Sequence, residues 1–154
     1  MSLMNDHLYR FAHSSEILTP LVQEYGCGWF DGGCYIFARA LQLWLGGRLA
    51  VIVRKELLKE QALDHVVLSL ANPQHWAETL YVDADGVATA HSLLKCWRTR
   101  ERLPGAILED PANQSRFLTP LWKESWSAWL AGQLEVRFGK PQWSELSALL
   151  GRRP

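Results

Sequence analysis

Neither sign of charge predominates in this sequence. Sixteen lysines and arginines are matched by sixteen aspartates and glutamates over 154 residues, so no net field draws the chain to nucleic acid or to an anionic membrane. Cysteine is scarce as well. The three cysteines, Cys27, Cys34 and Cys96, are an odd number, which excludes a fully paired disulfide scaffold and gives the expectation of free thiols. Long hydrophobic runs are missing: the longest, Tyr35 to Leu45, is interrupted by Arg39 and Gln42 and stops at Gly46-Gly47, too short to cross a bilayer. The first residues lack a basic stretch followed by an apolar one, so no secretory signal is expected, and Met1-Ser2-Leu3 ahead of Met4 reads as an added leader. The expectation is a cytoplasmic protein with no nucleic-acid or membrane partner. The sequence has no internal repeat and no low-complexity segment.

What remains is a chain of single-domain length with 48% hydrophobic residues, enough for a sizeable core. Ser14 to Tyr25 reads as a helix stopped by Gly26, and Cys34 to Leu45 as a nearly all-apolar, buried helix. Arg48 to Arg54, Leu63 to Leu70 and Thr79 to Asp83 read as strands, with a turn at Ala84-Asp85-Gly86. Downstream the pattern is helical: Thr89 to Thr99, then Asn113 or Pro120 to about Phe138, then Pro141 to Leu150. Trp122, Trp126 and Trp129, with Leu118 and Leu130, recur at helical spacing and are expected on a core face. The fold class is α+β: one domain over 1–154, with a core at about 26–100 and a helical part at about 105–151.

Four of the eight residues from Gly26 to Gly33 are glycine, which suits a backbone shaped for a special conformation. Cys34 follows at the first turn of a buried helix. There the unpaired N–H groups and the positive dipole end favour thiolate over thiol and can hold an oxyanion. Gly32 and Gly33 leave room for a substrate backbone, and Trp29 and Phe30 in the same loop suit either substrate contact or packing.

Alternation puts His65, Val67 and Ser69 on one face of their strand. An antiparallel pairing with Leu70 opposite Glu78 and Val67 opposite Tyr81 sets His65 opposite Asp83, close enough to hydrogen bond. Cys34, His65 and Asp83 then form a nucleophile, a base and an orienting carboxylate. Asp85 is the rival carboxylate, two residues on. Cys27 with Cys34 and a histidine fits no closed zinc pattern, so neither metal nor cofactor is expected.

Gly-Gly-Cys-Tyr-Ile-Phe-Ala at a helix start, a histidine opening a strand and Tyr-Val-Asp ending the next resemble the papain-like cysteine peptidase superfamily. The similarity is closest to its compact bacterial and phage-encoded members and to transglutaminase-like relatives. The resemblance covers about Trp29 to Asp85 and rests on loose motifs. It implies a Cys-bearing helix packed on a small antiparallel sheet, with Cys34 as nucleophile, His65 as general base and acid, and Asp83 orienting His65. It also implies an oxyanion site at the backbone N–H of Cys34, beside Gly33, Gly32 and Trp29. The activity implied is hydrolysis of peptide or isopeptide amides through a thioester, on a protein or peptide substrate. Acyl transfer, deamidation, and an inactive interaction domain that keeps the fold are the alternatives.

Overall fold

A computed structural model describes residues 3–30, 33–54, 63–75, 77–102, 105–109 and 123–148 of the chain. The expected Asn113-or-Pro120 helix start, Thr119-Pro120, Leu118, Trp122, Asp31 and Gly32 lie outside these residues.

Leu3–Ala12 forms helix α1, which the sequence reading missed. Ser15–Tyr25 forms α2 and closes on Gly26, whose φ of 68° is the left-handed conformation glycine adopts without a Cβ penalty. Cys34–Leu45 forms α3, with the expected bounds, and buries Cys34, Ile36, Phe37, Ala38, Ala40, Leu41 and Trp44. Such a helix must be covered on more than one side. The sheet covers one side and α5, Glu124–Phe138, another.

Strands β1 (Arg48–Arg54), β2 (Leu63–Ala71), β3 (Thr79–Asp83) and β4 (Gly86–Ala88) run as an antiparallel meander. β5 (Ala106–Glu109) joins antiparallel beside β1, giving the order β4-β3-β2-β1-β5. The sequence reading did not identify β4 and β5, each only three or four residues long. Period-two alternation then sorts the strands into two apolar faces. Leu68, Leu70, Leu80, Val82 and Val87 pack with α1, α2, α3 and α5. Ala50, Ile52, Val67, Ala88 and Ala106 pack with Leu93 and Trp97 of α4, Ala90–Thr99. Thr89 caps α4 by accepting a hydrogen bond from the Ser92 N–H at 3.1 Å, and the Arg98 side chain donates to the Ala106 carbonyl at 3.0 Å, holding β5 to the helix. The result is a five-stranded antiparallel sheet between helical layers, an α+β arrangement.

Two expectations are corrected. The buried stripe of α5 is Ser127, Leu130 and Leu134, while Trp126 is half-buried and Trp129 is exposed. The small Ser127, which donates to the Ile36 carbonyl at 3.0 Å, lets α5 seat closely on α3, while Trp126 packs at the margin of the core and Trp129 faces outward. The last helix, α6, is the short segment Trp143–Ser147, closed by a Gln142–Glu145 capping box.

Candidate functional site

The β2–β3 register differs from the expected one. Leu68 pairs with Val82, Ser69 with Tyr81 and Leu70 with Leu80, a slide of two residues. Because the slide is even, it keeps every side chain on its expected face. His65 and Asp83 are therefore diagonal rather than opposite neighbours, still within reach of longer side chains. His65 Nε2 lies 3.1 Å from Asp83 Oδ2, both groups buried. The other oxygen, Oδ1, accepts the Asp85 N–H at 2.9 Å, so Asp83 is locked by the turn that follows it. Asp85 takes part as a backbone donor to Asp83, and the carboxylate bonded to His65 is that of Asp83.

A bulge aims the histidine. β1 pairs with β2 in register up to Ile52 opposite His65, and then Val53 pairs with Leu63, which leaves Asp64 as the extra residue. A bulge of this kind bends the strand and redirects the neighbouring side chain.

Cys34 packs with Ala38, Val51, Val53 and Val66, residues of the face opposite to that of Val67. The thiol nevertheless lies close enough to His65 to act on the ring. With Nε2 committed to Asp83, Nδ1 is the ring nitrogen that completes no hydrogen bond. Burial opposes charge on His65, but the hydrogen bond to Asp83 and the influence of the nearby Asp83 and Cys34 groups outweigh it, raising the imidazole from 6.5 to about 9.

Gly33 sets the start of α3. A Cβ there would lie 2.7 Å from the Gly28 carbonyl oxygen and 2.7 Å from Leu21 Cδ2, so only glycine fits without backbone movement. Its N–H donates to that same carbonyl at 2.8 Å. The Gly33 donor is therefore already used within the loop. The Cys34 N–H belongs to the first turn, which an α-helix cannot satisfy from within. Of the two readings of Trp29, the structure shows packing. The residue is 3% exposed, donates its indole N–H to the Ala12 carbonyl and packs edge-on to Phe37, so it is a core residue tying the loop to α1.

Sequence reasoning missed Trp97 at this site. Its ring lies 4.8 Å from the His65 ring at 26°, and Phe30 lies 5.0 Å away at 20° on a second stacking contact. The signal was present as the Leu93/Trp97 pair, four apart on one helix face, but it did not say which sheet face they cover. Cys27 is buried, Cys96 is partly buried, and neither forms a disulfide. Among the described residues no group of three His, Cys, Asp or Glu side chains is placed to hold a metal ion, and no helix is long and apolar enough to cross a membrane.

No family model, curated protein or solved structure matches the chain.

Proposed function

We propose that the chain is a papain-like cysteine hydrolase that cleaves peptide or isopeptide amide bonds through a thioester on Cys34. The observation carrying this reading is the buried His65–Asp83 pair, held at 3.1 Å with the Cys34 thiol acting on the same imidazole. A thiol at a helix start, a histidine and a carboxylate that fixes the ring are the parts nucleophilic acyl transfer needs. With the Cys34 proton held by His65, the Cys34 sulfur adds to the carbonyl carbon, and the oxyanion forms beside the first turn of α3. The C–N bond breaks as His65 gives its proton to the leaving amine. Water then adds to the thioester, His65 takes up its proton, and the acid leaves as the thiol is restored. If an amine replaces water in the second half, the same residues carry out acyl transfer.

A peptidyl-aminomethylcoumarin library tests this reading. The wild-type chain is expected to release coumarin, and Cys34→Ala to lose at least roughly a thousandfold in rate while unfolding at the wild-type temperature. An undiminished rate in the variant removes Cys34 as nucleophile.

The non-catalytic reading has one observation in its favour. Cys34 is 8% exposed and His65 1%, whereas a surface depression of about 290 Å³ lies elsewhere, lined by Pro20, Ser125, Trp126 and Trp129. Absence of turnover on the whole library, and on a glutamine donor with an amine acceptor, favours that reading.

A further inference from the structure

The His65 ring is gripped on its faces as well as at its edges. Phe30 and Trp97 both stack nearly parallel to it, with centroids 5.0 and 4.8 Å away and interplanar angles of 20° and 26°. The stack continues outward: His13 lies parallel to Phe30 at 6.4 Å and 13°, and Tyr9 stacks on His13 at 4.2 Å. Five rings, from α1, the turn after it, the glycine-rich loop, β2 and α4, thus stack in series with His65 as the fourth member. His13 Nδ1 lies 2.9 Å from the Tyr9 carbonyl oxygen, so the outer end of the stack is fastened to α1.

Hydrogen bonds to an imidazole lie in the plane of its ring. Parallel faces on the ring resist tilting out of that plane, which edge-on hydrogen bonds alone do not. Aromatic faces also present negative electrostatic potential to a cation, an attraction that grows when both groups are desolvated. We propose that Phe30 and Trp97 are positioning residues that clamp the His65 imidazolium between their faces and fix the plane in which Nε2 meets Asp83 and the ring meets the Cys34 thiol. The proposal rests on the Cys34–His65–Asp83 reading for its purpose, but not for its test. The charged or titratable groups acting on His65 are Asp83 and Cys34, and His13 stands one ring away, behind Phe30. Clamping by Phe30 and Trp97 is a contribution separate from these.

The test keeps the shape and changes the ring electrostatics. Pentafluorophenylalanine at position 30 fills nearly the same space as Phe30 with its face potential reversed, so the fold is retained. The His65 imidazole is followed by NMR titration of the histidine-labelled full chain, which requires no turnover. The clamp predicts that the apparent pKa of His65 drops by about one pH unit in the fluorinated protein. Trp97→Leu should lower it similarly, and Trp97→Phe should restore most of the loss. Cys34 alkylation should slow in step with these changes. An unchanged His65 titration in the fluorinated, folded protein overturns the clamp while leaving Cys34 as nucleophile untouched. A normal clamp with no turnover on any substrate would instead fail the hydrolase reading alone.

Discussion

Replacing Asp83 by alanine is expected to destabilise the folded chain by about 3–5 kcal/mol at pH 7, the range for removing one member of a buried ion pair. Asp83 is 2% exposed and serves two donors, the His65 ring at 3.1 Å and the Asp85 N–H at 2.9 Å. Without the carboxylate, His65 must either stay charged and unpaired or give up its proton with both nitrogens unsatisfied, and the turn into β4 loses its anchor. Either outcome leaves buried polar groups without partners. Asp83→Asn keeps an acceptor for the Asp85 N–H and should lose less, so the difference between wild type and Asp83→Asn approximates the ionic part and the difference between the two variants the part due to the retained acceptor. Urea unfolding of the three proteins reads this directly. A loss under about 1 kcal/mol in Asp83→Ala would mean that the pair is not formed in solution.

The second large effect is on pH. In the folded chain His65 keeps its proton up to about pH 9, against 6.5 for an ordinary imidazole. The folded state therefore holds a proton that the unfolded chain has released. The stability from this proton is fully present below about pH 6.5, declines from there, and is lost as pH rises through about 9. At about 1.4 kcal/mol per pH unit, the interval corresponds to about 3 kcal/mol. Denaturant midpoints at pH 6, 7.5 and 9.5 should fall in that order, and His65→Phe should flatten the trend. A wild-type midpoint that rises over this range contradicts the assignment of a paired imidazolium.

Much of this arrangement was legible in the sequence because local signals agreed. Gly26, the glycines before Cys34 and Gly46-Gly47 bound two helices, while a β-branched run marked β1, period-two alternation marked β2, and a short run before the Ala84-Asp85-Gly86 turn marked β3. The same alternation could not fix the β2–β3 register, since sliding by two residues leaves each face unchanged. The connecting loop fixes it: the Asn72 N–H donates to the Glu78 carbonyl at 2.7 Å, and the Asn72 side chain bonds to Glu78 and to the Gln74 N–H. The bulge at Asp64, which aims His65, leaves no pattern of its own. The marginal place of Trp126 and the exposure of Trp129 were hidden because helical spacing alone does not say which stripe a neighbouring helix will cover. Ser127, small and able to bond the Ile36 carbonyl, decides that. The partnership of Phe30 and Trp97 around His65 joins residues 67 positions apart, a tertiary fact with no local trace.

The central claim is that His65 activates Cys34, and the alkylation rate of Cys34 by iodoacetamide tests it most directly. Cys27 is a matched control within the same chain, 9% exposed against 8% for Cys34, so burial alone gives the two thiols similar rates. At pH 6 to 7 Cys34 should react at least about tenfold faster than Cys27, and His65→Ala should abolish that advantage. Equal labelling of Cys34 and Cys27, unaffected by loss of His65, would contradict the account.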